Sequence, residues 1–196
     1  MDKKCNSILL ATDLSAAFDT IDHCILLKKL EFYGIRGKSL KLMESFLSDR
    51  KTYVNIDTFS SNMIEQGPWS CIQGSKLSGL LYTLYTNEIP EVKKLMQQPE
   101  NYKKITRKPL PKKYNNTHTT INYVDDSTHI ISFTEILQIK DYIEAFYDVL
   151  HIIYEANLLK VNSDKTKAML FLTHKSNIDI SNFTFMAKND IIYPKN

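Results

Sequence analysis

Thr119-Thr120-Ile121-Asn122-Tyr123-Val124-Asp125-Asp126-Ser127-Thr128-His129-Ile130-Ile131-Ser132-Phe133 sets two adjacent carboxylates between two apolar, β-prone runs, Thr119–Tyr123 and Thr128–Phe133. The pattern predicts two antiparallel strands joined at a tight turn. Neighbouring side chains on a strand point to opposite faces, so at least one of Asp125 and Asp126 can face a cleft. Two uncompensated acids at a hairpin tip repel each other. A divalent cation relieves that repulsion, and Mg²⁺ favours one or two carboxylates completed by substrate phosphates. Taken alone, the tetrapeptide Tyr123-Val124-Asp125-Asp126 reads first as an ordinary, solvated Asp-containing turn. The rest of the chain must supply partners for the metal alternative to stand.

Working outward, Ser7–Thr12 is a short apolar run that ends at Asp13 and predicts a buried strand with a carboxylate at its end. Thr20–Tyr33 and Lys38–Leu47 carry apolar residues at helical spacing and are separated by Gly34 and Gly37. Lys51–Ile56 and Asn62–Gln66 suggest a hairpin. Ser75 is a candidate N-cap for a helix with Leu77, Leu80, Leu81 and Leu84, ending before Pro90. Positions 91–118, with three prolines and no clear periodicity, are expected to be an insertion or a mobile loop. Thr134–Asn157 has the strongest apolar stripe of the chain: Ile136, Ile139, Ile143, Phe146, Leu150 and Ile153. Val161–Leu172 holds a further strand, and Ile178–Tyr193 a terminal hairpin around Asn189-Asp190. The order β-α-α-β-β-α-loop-β-β-α-β-β predicts an α+β fold, an antiparallel sheet with helices packed on one face.

Composition narrows the class. The chain has 196 residues, the size of one domain or one domain with a long insertion, and 43% of them are hydrophobic, enough for a core. No apolar run approaches the ~18 residues of a membrane span, and the N-terminus does not resemble a secretory signal. Three widely spaced cysteines, Cys5, Cys24 and Cys71, suggest reduced thiols in an intracellular protein, nuclear or cytoplasmic. No Cys/His cluster has zinc-like spacing. The net charge of +3 is unevenly spread: between positions 92 and 113, eight cations face the single acid Glu100, a net of +7, which leaves −4 on the remainder. A basic block on an acidic body is compatible with phosphate binding and equally with a solubilising lysine loop.

Several motifs then fall in order. Asp13-Leu14-Ser15-Ala16-Ala17-Phe18-Asp19 combines a strand-end carboxylate with small residues that let a ligand approach and an aromatic wall. Gln73-Gly74-Ser75 precedes a helix, where Gly74 permits close backbone approach and the helix start favours anions. Asn162-x2-Lys165-Thr166 is a turn entering a strand. Each has an ordinary structural explanation: a cap, a capped helix, a solvated lysine. Together with Tyr123-x-Asp125-Asp126, the ordered set resembles the palm motifs of reverse transcriptases, most nearly those of non-LTR, LINE-type retrotransposons. Ala17-Phe18-Asp19-Thr20-Ile21-Asp22-His23, Phe46-Leu47-Ser48-Asp49-Arg50-Lys51, and Cys71 to Leu77 with Leu84 to Pro90 extend the likeness over roughly positions 7–90 and 119–173.

The resemblance implies an RNA-directed DNA polymerase palm that joins a dNTP to a primer 3′-hydroxyl. It implies an RNA template, a DNA primer and two Mg²⁺ ions, with Mn²⁺ as a substitute, and no membrane partner. Asp13 and Asp125 would hold the metals, assisted by the Leu14 carbonyl and supported by Asp126. Phe18, beside Ala17, would be the gate that crowds a ribose 2′-hydroxyl. Gln73, Gly74 and Tyr123 would line the substrate side, and Lys165 would neutralise the departing pyrophosphate. Ile72 in place of Pro before Gln-Gly, Ser78-Gly79 in place of Gly-Pro, and the long basic stretch at 91–118 depart from the family pattern. With 12 residues ahead of Asp13, the expectation is one palm domain over 1–196 without fingers or thumb, so that another chain would supply them. The alternatives are a non-catalytic retroelement remnant that binds nucleic acid, and an RNA-dependent RNA polymerase palm, which Phe18 disfavours.

Overall fold

The structure, a computed structural model, describes residues 5–110, 117–134, 136–162, 164–173, 184–187 and 190–192. In chain order its elements are β1 (Asn6–Thr12), α1 (His23–Phe32), α2 (Lys38–Leu47), β2 (Lys51–Thr52), β3 (Asn55–Ile56), β4 (Phe59–Ser60), β5 (Ile64–Glu65) and α3 (Lys76–Tyr85). A 3₁₀ turn (Ile89–Glu91), α4 (Val92–Met96), α5 (Pro99–Thr106), β6 (Thr117–Tyr123), β7 (Asp126–Phe133), α6 (Ile136–Ala156), β8 (Lys167–Phe171), β9 (Phe185–Ala187) and β10 (Asp190–Ile192) complete it. The chain forms two compact units: 1–15, 88–156 and 160–196 make the first, and 16–87 with 157–159 the second.

The first unit is built on a four-stranded antiparallel sheet ordered β6-β7-β1-β8. One strand face is apolar for a clear reason. Ile8, Leu10 and Thr12 on β1, Ile131 and Phe133 on β7, and Ala168 and Leu170 on β8 recur at period two and are all buried. Phe146 and Tyr142 of α6 pack on that face, with the Phe146 ring 4.7 Å from both His118 and His129. The Tyr154 hydroxyl, further along α6, lies beside the Thr12 and Ser127 side chains without completing a hydrogen bond, and burial pushes its pKa up. This is an antiparallel sheet with helices on one face, as expected. β9 and β10 form the terminal hairpin. Phe185 of β9 is buried and stacks on Tyr147 at 5.9 Å, whereas the hairpin's turn lies outside the described residues.

The expectation of a loop at 91–118 needs correction. Val92–Met96 and Pro99–Thr106 are helical. Val92, Met96 and Tyr102 are buried, and both helices pack on α6. The segment has too few apolar residues to show a period, yet Pro99 supplies a good helix start because its missing N–H is one that a first turn leaves unpaired.

In the second unit, Asp22 caps α1 by accepting from the Ile25 amide at 2.8 Å, which starts the helix three residues later than the apolar pattern suggests. Ser75 caps α3 as predicted, accepting from the Leu77 amide at 3.3 Å. Lys51–Ile56 and Asn62–Gln66 belong to one hairpin, as expected, but its ladder is interrupted. β2 pairs with β5 and, nested inside them, β3 pairs with β4, with the Ser61 amide donating to the Val54 carbonyl at 2.9 Å between the two.

Candidate active site on the open sheet face

The side of the sheet away from α6 carries the candidate chemistry. The β1–β7 register pairs Thr12 with Ser127. Extended by one residue, the same register sets Asp13 across from Asp126, on the face shared by Ala11 and Thr128 rather than on the buried one. Adjacent strands thus bring together carboxylates that lie 113 residues apart in sequence. Tyr123 pairs with Asp126, so Val124 and Asp125 are the two central residues of the β6–β7 turn. Tyr123 projects 79% exposed on the open face.

That turn is strained. Val124 has φ +56° while Asp125 has a negative φ, the sign pattern of a type II′ turn, whose first central position ordinarily takes glycine. A β-branched residue there is a conformational outlier. The turn holds Asp125, a half-buried carboxylate, next to the exposed Asp126 that opens β7.

A local irregularity on the other flank of β1 positions Lys165. On β8 the partner of Ala11 is Lys167, but the next bridge is Leu14 to Val161, so Thr12 and Asp13 face a longer stretch of chain between Val161 and Lys167. The surplus loops out as a turn. Thr166 donates its amide (2.9 Å) and its hydroxyl (2.8 Å) to the Asn162 carbonyl, and the Lys165 amide donates to Asn162 Oδ1 at 3.3 Å. The Lys165 ammonium thereby comes within 3.9 Å of Asp13 Oδ2. The Asn162 amide donates to the Asp13 carbonyl, and the Ser15 amide donates to the Lys160 carbonyl, each at 2.8 Å. Because successive residues of a strand direct their backbone groups to alternate sides, the Leu14 carbonyl between them points to the β7 side, where Asp125 and Asp126 lie.

Asp13, Asp125, Asp126, Leu14, Tyr123 and Lys165 therefore all sit at one end of the first unit's sheet. Among the described residues, no three His, Cys, Asp or Glu side chains close on a common point to cage a metal by themselves. The donor set suits a hard cation that takes one or two carboxylates and draws its other oxygens from water and phosphate, the habit of Mg²⁺.

Ala17, Phe18, Gln73 and Gly74 belong to the second unit. There the Cys71 amide donates to the Phe18 carbonyl at 2.8 Å, which ties the Gln73-Gly74 turn to the Phe18 segment. Ala17 is buried, and the Phe18 ring packs against Tyr82 with centroids 5.0 Å apart and the rings tilted by 33°. Gly74 has φ +82°, and Gln73 beside it is exposed. The motif reading found these residues. It missed the Leu14–Val161 bridge and the strain at Val124, which leave no compositional signal. His118 and His129 also went unremarked; His129 lies at period two with Ile131 and Phe133 along β7, which was a usable clue, whereas His118 lies among threonines on β6 and carried none.

A four-stranded antiparallel sheet, covered on one face by helices and bearing acidic residues on two adjacent strand ends of the other, is the palm of a nucleic-acid polymerase. The particular family follows from the sequence: residues 1–189 match the family model of the reverse transcriptase (RNA-dependent DNA polymerase), and the chain belongs to that family. No curated protein matches it in sequence. Among solved structures it is similar to apo telomerase from Candida tropicalis truncated from its C-terminal domain. That likeness has 15% identity and a TM-score of 0.55, over 88% of this chain and 32% of that one. It is also similar to Candida tropicalis telomerase in complex with the TWJ fragment of telomeric RNA, at 14% identity and a TM-score of 0.54, over 85% of this chain and 26% of that one. At such identities the likeness establishes a shared fold, and this chain spans about a third or less of those proteins. No helix among the described residues is long and apolar enough to cross a membrane.

Proposed function

We infer that the chain is the palm of an RNA-directed DNA polymerase of the non-LTR, LINE-type retrotransposon group, acting on a dNTP at a DNA primer paired to an RNA template. The observation that carries this reading is the β1–β7 register, which ends at Thr12 and Ser127 and, continued by one residue, sets Asp13 across from Asp126 beside the strained turn that presents Asp125. In this reading Asp13 and Asp125 hold two Mg²⁺ ions, with the Leu14 carbonyl and Asp126 completing and steadying the site. Ions held by these residues would supply Lewis-acid activation of the primer 3′-hydroxyl and neutralisation of the triphosphate charge. Lys165 is held where its ammonium balances Asp13 before substrate arrives and can turn to the departing pyrophosphate. Phe18, fixed against Tyr82, excludes the 2′-hydroxyl, and Gln73-Gly74 gives the template strand close access to backbone.

Extension of a labelled primer on an RNA template, with Mg²⁺ and dNTPs, tests this. Asp125→Asn should lower the rate by about 10²–10³-fold, the loss typical of removing one fixed electrostatic stabiliser. It should also weaken Mn²⁺ binding, followed by electron paramagnetic resonance. Unchanged Mn²⁺ affinity in both Asp13→Asn and Asp125→Asn would rule the carboxylate assignment out, whatever the activity of the isolated chain.

A further inference from the structure

The basic stretch is not spent on the carboxylate site. Tyr142 and Phe146 of α6 face the sheet, whereas Glu144 and Asp148 lie next to Lys108, and Asp148 lies next to Tyr102 of α5. Residues two apart on a helix differ by about 200° of rotation. The α5 side of α6 is therefore the side turned away from the sheet, and α6 separates α5 from the open face that carries Asp13 and Asp126.

On this rear layer the apolar residues point inward and the charges outward. Val92, Met96 and Tyr102 are buried, while Lys94, Lys103, Lys104, Arg107 and Lys108 are exposed. Lys94 is paired with Glu91 at 2.7 Å, and Lys108 with Asp148 at 2.6 Å. Lys103, Lys104 and Arg107 have no ion-pair partner among the described residues. Helix polarity favours cations at a C-terminus and accounts for a lysine in the last turn, but three cations packed within positions 103–107 exceed that need. The last of them, Arg107, closes α5 in the left-handed conformation at φ +58°.

We propose that the outer surface of α4–α5 is a second nucleic-acid binding surface, which takes the phosphate backbone of RNA without reading sequence, on the side of the palm opposite the carboxylates. The spacing suits the ligand. Three cations fall within about one helical turn, ~5.4 Å of axis, and a single nucleic-acid strand carries one phosphate charge per residue, about every 3.4 Å in a stacked strand. A membrane surface fits less well, because basic interfacial helices carry exposed Trp, Phe or Leu. The only exposed apolar side chains from 92 to 109 are Pro99 and Pro109. The choice of RNA rests on the polymerase reading above, but binding is measured without extension, so the two can fail separately.

The experiment is fluorescence anisotropy of a labelled single-stranded RNA against salt concentration, comparing wild type with Lys103→Gln/Lys104→Gln/Arg107→Gln. Single-strand binding loses about 0.7 in the log–log salt slope per phosphate contact, so the triple variant should be shallower by about two units and bind more weakly. Lys28→Gln/Lys38→Gln/Lys41→Gln removes the same charge from exposed positions on α1 and α2 and should keep the wild-type slope. An unchanged slope in the α5 variant overturns the proposal. So does an equal loss in the α1–α2 variant, which would make the effect one of net charge alone. RNA binding that is retained while binding to phosphatidylserine vesicles is lost would assign the surface to membranes instead and overturn it as well.

Discussion

Acid should destabilise the first unit through two histidines buried between its sheet and α6. His118 and His129 are 2% and 0% exposed, and their rings stand 5.8 Å apart. Thr120 Oγ1 lies 3.0 Å from His129 Nδ1 and 3.4 Å from His118 Nε2, and the Tyr142 hydroxyl lies 3.0 Å from His118 Nδ1. His129 Nε2 is buried without a hydrogen-bond partner among the described residues. Burial lowers the pKa of His129 to about 3, with His118 adding to the effect. Burial, and then the nearby Lys93 ammonium, lowers that of His118 to about 4. Both folded values lie below the unfolded value of 6.5. The unfolded chain therefore takes up protons first, and stability present above pH 6.5 is lost as pH falls toward 4. Each histidine contributes a slope approaching ~1.4 kcal/mol per pH unit, so the pair should remove roughly 2–3 kcal/mol between about pH 7 and pH 5.5. That is a large part of a typical ~5–15 kcal/mol folding free energy.

Urea unfolding followed by far-UV ellipticity measures the loss. The His129→Leu variant should halve the pH dependence. At about pH 7 it should be no less stable than wild type, because it removes a buried unsatisfied nitrogen that costs ~1–3 kcal/mol. A wild-type free energy that stays flat across this pH range would refute the reasoning. An undiminished pH slope in His129→Leu would refute it too.

Two further predictions concern single positions. Replacing Val124 by Gly should raise the urea midpoint by an amount equivalent to ~0.5–1 kcal/mol, because a left-handed conformation costs a side-chain-bearing residue ~1–2 kcal/mol and glycine's extra unfolded-state entropy offsets only part of that. A lower midpoint would mean that packing of the valine outweighs the strain. Cys24 is exposed, whereas Cys71 is 2% exposed with its pKa raised by burial, an effect that the Arg50 charge opposes only in part. Iodoacetamide should therefore modify Cys24 at least ~10-fold faster in the folded chain, as followed by peptide mass spectrometry. Equal rates would contradict the burial of Cys71.

The sequence alone determined the strands around Tyr123-Val124-Asp125-Asp126, the long helix after them and the cap at Ser75. In each case the cause is local: a period of two, a period of 3.6, or an oxygen placed to accept from a free amide. The ordered motifs also pointed to the family, because several short patterns in a fixed order are far more specific than any one. What the sequence left open depended on partners distant in the chain. Residues 91–118 looked like a loop because α4 and α5 are too short to display a period and draw their stability from α6. Lys165 was indistinguishable from any solvated lysine until the change of register between β1 and β8 brought it beside Asp13. Asp13 and Asp126 became neighbours only when β1 inserted between β7 and β8, a pairing fixed by which strand faces are apolar. Residue type therefore set what chemistry was available. Sheet order and register, which arise from burial across the whole unit, decided which of those residues meet.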